Sequence, residues 1–92
     1  MITAIVFVNA DTARIPDVAQ QIADLDGVSE VYSTTGKIDL IVMVRVSSID
    51  NVAVTVADQL NKIPGVRSTE THIAFRAYSA LDMEAAFSLG AD

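Results

Sequence analysis

The sequence predicts one small α+β domain with the element order βαββαβ. Three observations carry that expectation. Short β-branched and aromatic runs alternate with segments of helical spacing. The alternation occurs twice, because the chain repeats itself. And 92 residues are enough for one domain and too few for two.

The repeat is direct. The segment VAQQIADLDGV from Val18 to Val28 aligns with VADQLNKIPGV from Val56 to Val66 at a constant offset of 38, with five identities. Ile22/Leu60 and Leu25/Ile63 exchange like for like. Upstream, ITAIVFVN (2–9) matches IDLIVMVR (38–45) at an offset of 36. Two units are too few for a solenoid and suit one closed, pseudo-symmetric domain.

Residues 2–9 have strand composition. Asp11 or Thr12 caps a first helix, and Pro16 is tolerated in its first turn. Val18, Ile22 and Leu25 form its apolar stripe, and Asp26-Gly27 ends it. Residues 28–35 are the second strand, Thr35-Gly36-Lys37 a tight connection, and residues 38–46 the third strand. Ser48 or Asp50 caps the second helix, whose stripe is Val52, Val56, Leu60 and Ile63; Pro64-Gly65 stops it. Residues 66–76 are the last strand, so the folded unit spans 1–76. Residues 77–92 are a C-terminal extension, with a short helix expected near 80–88.

With short connections and right-handed crossovers, this order gives an antiparallel four-stranded sheet with both helices on one face, the ferredoxin-like fold. The other face is then bare. A solvated face alternates polar with apolar residues, yet Ile5-Val6-Phe7-Val8 and Leu40-Ile41-Val42-Met43-Val44 are apolar on both faces. With 51% apolar residues and a mean hydropathy of +0.41, the chain is rich in such residues for its size. The expectation is a homodimer, sheet face to sheet face across a two-fold axis.

Charge excludes several functions. Twelve acidic residues face six Lys or Arg, for a net charge of −6, and the basic residues are scattered singly. The cationic footprint that binds nucleic acid is missing, and anionic membrane surfaces are disfavoured for the same reason. No run approaches the roughly 18 apolar residues of a membrane span, and the N-terminus lacks the basic start of a signal peptide. Without Cys there is no disulfide, thiolate metal site or Cys nucleophile. The expected setting is the cytoplasm.

Few residues offer chemistry. His72 is the only histidine and has no evident triad partner; neither a catalytic residue, a metal site nor a cofactor is expected. His72 reads as a structural residue, as a contact to a ligand or subunit, or as a general acid or base. As strand residues, His72 and Glu70 share one face and Thr69 and Thr71 the other. The stretch Ser33-Thr34-Thr35-Gly36-Lys37-Ile38-Asp39 is polar between two apolar strands. It reads either as a hairpin, with Gly36 at positive φ and Asp39 opening a strand, or as a binding loop offering hydroxyls, backbone N–H groups and both charge signs to a zwitterion. On the binding reading Asp39 accepts from an ammonium, and its replacement by Ala leaves folding nearly intact.

The run Val31-Tyr32-Ser33-Thr34-Thr35-Gly36-Lys37-Ile38-Asp39-Leu40-Ile41-Val42-Met43-Val44, followed by Ile63-Pro64-Gly65-Val66-Arg67-Ser68-Thr69-Glu70-Thr71, resembles the effector (RAM) domain of the Lrp/AsnC, or feast/famine, transcriptional regulators. The chain departs from that pattern at Lys37 and Ile38. The resemblance implies sheet-to-sheet dimers that join into higher oligomers such as octameric rings, with an amino acid or related molecule bound between dimers. It places the ligand at Thr34, Thr35, Gly36, Lys37 and Asp39, with Thr69, Thr71 and His72 from the last strand of a neighbouring subunit. The chain starts on strand one with no helix-turn-helix before it. It is therefore expected to be a stand-alone module that reaches DNA only through partners such as full-length regulators of the family. The alternatives are a dimeric α+β barrel enzyme, for which only His72, Arg45 and Arg76 could serve; an ACT domain, whose Gly is missing from Asn9-Ala10-Asp11-Thr12; and a purely structural assembly module.

Overall fold

A computed structural model describes residues 1–80. Its strands are β1 (Ile2–Ala10), β2 (Val28–Ser33), β3 (Leu40–Val46) and β4 (Val66–Ala74), all antiparallel in the order β2-β3-β1-β4. Helix α1 (Ile15–Ala23) joins β1 to β2, and α2, which begins as Ile49–Ala53, joins β3 to β4. This is the expected ferredoxin-like α+β fold. The helix expected near 80–88 lies, from residue 81 on, outside the described residues.

A side-chain cap opens the turn that leads into α1, and another starts α2 itself. Asp11 accepts from the Ala13 N–H at 3.1 Å and opens a tight turn, Thr12–Arg14, that feeds α1. Ser48 accepts from the Asn51 N–H at 3.2 Å. In α2 the stripe Val52, Val56, Leu60 recurs every four residues. Four residues overshoot a turn of about 3.6 by roughly 40°, so an ordinary helix would walk this stripe off the core. The helix instead widens to i→i+5 winding over Val54–Gln59 and tightens again over Leu60–Lys62. All three side chains stay buried.

The core lies between the helices and one sheet face. Ala4, Val6, Val8 and Ala10 of β1 and Leu40, Val42 and Val44 of β3 meet Val18 and Ile22 of α1 and Val52, Val56, Leu60 and Ile63 of the second half. The intervening residues Ile5, Phe7, Ile41 and Met43 point the other way and remain partly exposed.

Three strand ends fall short of the expected ones. β2 stops at Ser33 rather than 35 and β3 starts at Leu40 rather than 38, because Thr34–Asp39 closes on itself. The Thr34 N–H donates to the Asp39 carbonyl at 3.0 Å, and the Thr34 hydroxyl to the Ile38 carbonyl at 2.6 Å. β4 ends at Ala74 rather than 76.

Candidate functional site

Two surfaces are candidates for function: the open sheet face and the β2–β3 loop at one end of it. On the open face, Ile5, Phe7, Ile41 and Met43 form an apolar band across the two inner strands, because their alternating partners are committed to the core. The edge strands supply charged margins. On β2, Glu30 pairs with Arg45 of β3 at 3.3 Å and accepts the Tyr32 hydroxyl. That hydrogen bond, and then the Glu30 charge, raise the Tyr32 hydroxyl above its ordinary pKa. On β4, His72 Nε2 stands 3.5 Å from Glu70 Oε2, and its ring meets Phe7 edge-on at 5.2 Å between centroids. An apolar centre with a polar pair on each margin, Glu30–Arg45 on one side and Glu70–His72 on the other, has the anatomy of a protein–protein interface.

In the loop, Thr35, Gly36 and Lys37 are exposed at the tip. Gly36 has φ +93°, and a Cβ there would meet nothing within 4 Å. The turn, and not crowding, therefore calls for glycine. Asp39 is anchored to β1: its N–H donates to the Val8 carbonyl at 3.1 Å, and Oδ2 accepts from the Ala10 N–H at 2.9 Å. One carboxylate oxygen thus continues the sheet where the backbone ladder runs out.

That anchor changes the expected effect of Asp39→Ala. Ala10 is buried, and removing the carboxylate strands its N–H. We expect a loss of about 1–3 kcal/mol in urea titration, the cost of a buried donor left unpaired. Asp39→Asn keeps an acceptor oxygen and should lose less than about 1 kcal/mol.

The last-strand residues divide between two faces. Thr69 and Thr71 stand opposite Val8 and Val6, on the helix side, and the Thr69 hydroxyl donates to Asn61 Oδ1 at 2.7 Å. His72 stands opposite Ile5, on the open side. Leu40, which follows the loop, lies in one cross-strand row with Val8 and Thr69. Two strand spacings, roughly 10 Å, separate the loop base from Thr69 within one chain.

A second concavity, unforeseen in the sequence, lies at the opposite end of the β2–β3 hairpin between Gly27, Val46 and the widened winding of α2. The available signal was the change of repeat offset from 36 in the strands to 38 in the helices, which puts two extra residues into the second half.

Among the described residues no group of three His, Cys, Asp or Glu could hold a metal ion, and no helix is long and apolar enough to cross a membrane.

Comparison with known proteins places this geometry. Residues 3–82 match the family model of the Lrp/AsnC ligand binding domain. The HTH-type transcriptional regulator LysM of Saccharolobus solfataricus is 38% identical over 79 residues, which cover 84% of this chain and 54% of LysM. The crystal structure of TTHA0845 from Thermus thermophilus superposes with a TM-score of 0.82 at 39% identity, over 86% of this chain and 99% of that one. The transcriptional regulator NMB0573 of Neisseria meningitidis, solved as a complex with L-Met, shares the fold with a TM-score of 0.77 at 16% identity, over 85% of this chain and 52% of that one. The chain spans about half or less of the length of the curated relatives it matches. With the family model matched from β1 to beyond β4, the chain belongs to the Lrp/AsnC ligand-binding domain family.

Proposed function

We propose that this chain is a regulatory module that senses an amino acid or a related zwitterion and assembles through its open sheet face, acting by binding and not by catalysis. The observation that carries the reading is the pairing of an interface-like sheet face with an anchored polar loop at its end. A second copy on that face would cover Ile5, Phe7, Ile41 and Met43, and further association would bring the loop of one subunit to β4 of another. There, Asp39 Oδ1 would accept from the ligand's ammonium. The Thr35 hydroxyl, the Gly36 N–H and Lys37 would donate to its carboxylate, with Thr34, Thr69, Thr71 and His72 around it. The L-Met complex of NMB0573 supports an amino acid as the class of ligand. The LysM match supports a role in transcription. With a net charge of −6, this module would reach DNA through a regulator that carries the cationic surface.

A thermal-shift screen against the twenty amino acids at millimolar concentration tests the reading. A ligand at a hundredfold excess over its Kd adds about 2.7 kcal/mol. That amounts to a rise of about 4–8 °C per kcal/mol for a domain of this size. Asp39→Asn should fold and lose the rise. No shift with any amino acid would overturn sensing and leave an assembly module.

A further inference from the structure

The internal repeat creates two related crevices, and they are filled differently. Each lies where the turn after a helix runs beside the other half's strand-to-helix junction. In one, the Gly65 carbonyl accepts from the Asp11 N–H at 2.8 Å. A Cβ on Gly65 would stand 2.9 Å from Val18 Cγ2 and 3.5 Å from both Cβ and Cδ of Arg14. The aliphatic stem of Arg14 therefore lies across that crevice. In the other, the Gly27 carbonyl accepts from the Arg45 N–H at 2.8 Å, and a Cβ on Gly27 would stand 2.7 Å from Val46 Cγ1 and 2.9 Å from Thr55 Oγ1. At the repeat offset of 38, Arg14 corresponds to Val52, which is buried in the core. The one long side chain on the wall of this second crevice is that of Gln59. A cavity of ≈ 300 Å³ remains beside it, at the lower end of the range for small-molecule pockets.

We propose that this cavity is a second ligand site, and that its ligand is a short alkyl chain ending in an ammonium or guanidinium. Val46 and Val54 line it and offer an apolar wall to the stem. Asp26 is the one charged residue among those lining it. Asn51 donates through Nδ2 to Ser47 Oγ at 2.8 Å, which fixes the amide and leaves its oxygen as an acceptor. The Thr55 hydroxyl, buried at the inner end, spends its proton on the Asp26 carbonyl at 3.3 Å. The lining is thus rich in acceptors and suits a cation, while an anion would face Asp26 and a net charge of −6. Widened helical winding of the kind that brings Val54, Thr55 and Gln59 to the cavity is frequent at functional sites. The site lies at the far end of the β2–β3 hairpin from Thr34–Asp39, so it stands or falls independently of amino-acid sensing there.

Amide chemical-shift titration of the isotope-labelled chain tests it with three probes of similar stem length: propylguanidinium, butylammonium and butyrate. Both cations should give saturable shifts centred on Asp26, Gly27, Ser47, Asn51 and Thr55, and butyrate none. Asp26→Asn should weaken the cations by about tenfold or more, the loss of one charge-assisted contact. Asn51→Arg, which lays the chain's own guanidinium and stem across the cavity, should abolish the shifts. If Asn51→Arg does not fold, Asp26→Asn decides alone. Absent or non-saturable shifts, equal binding of butyrate, or cation affinity unchanged in Asp26→Asn would each overturn the proposal.

Discussion

Val42→Asp is expected to abolish folding, whereas Met43→Asp, one residue along the same strand, should leave a folded but monomeric chain. Val42 is fully buried against the helices. A carboxylate there has no partner, and an unpaired buried charge costs several kcal/mol, comparable with the whole stability of a small domain. Met43 sits in the apolar band of the open face. A charge there is solvated in the monomer and buried only if a second copy covers it. Circular dichroism of the two variants, with sedimentation velocity of Met43→Asp beside the unaltered chain at low micromolar concentration, separates the outcomes. A folded Val42→Asp would contradict the assignment of faces. An unaltered chain that sediments as a monomer would remove the assembly half of the proposed function.

Ile22→Ala and Leu60→Ala are expected to cost about 2–5 kcal/mol each, with Leu60→Ala the milder. The two occupy equivalent positions in the repeat, and both are fully buried. Their surroundings differ. Ile22 lies in the regular helix α1, which has no slack with which to fill the void. Leu60 follows the widened winding Val54–Gln59, which can tighten toward a regular turn and draw the chain inward. The cost of a cavity depends on how far the site collapses. Urea titrations should place both losses in that range and in that order. A larger loss at Leu60 would mean that the wide winding is a rigid part of the fold.

Much of this architecture was legible in the sequence, and the exceptions have physical causes. That β1 and β3 are apolar on both faces was legible, but with no polar residues to mark a side the sequence did not say which set packs under the helices; the structure commits Val6, Val8, Leu40, Val42 and Val44 to the core. Gly27, Gly36 and Gly65 marked three turns, and each has positive φ. The placement of Thr69 and Thr71 opposite His72 followed from strand alternation. What the sequence concealed was long-range. That the Asp39 carboxylate stands in for a backbone acceptor to Ala10 depends on a residue 29 positions away. A hairpin reading and a binding reading of Thr34–Asp39 both omitted that bond. The widened winding of α2 was also hidden, although its four-residue stripe and the slipped repeat offset both pointed to it.

The strand order has a consequence for how the molecule comes into being. β1 is the first of the four strands in chain order and yet an inner one, hydrogen-bonded along one edge to β3 and along the other to β4. Neither partner exists when β1 leaves the ribosome, and the second arrives only with residues 66–74. Until β3 emerges, an apolar, β-branched ribbon has two open edges, and until β4 emerges it still has one, the kind of segment on which nascent chains aggregate. Its neighbours are distant in sequence, so closing the sheet is a non-local event and slow by the standards of small domains.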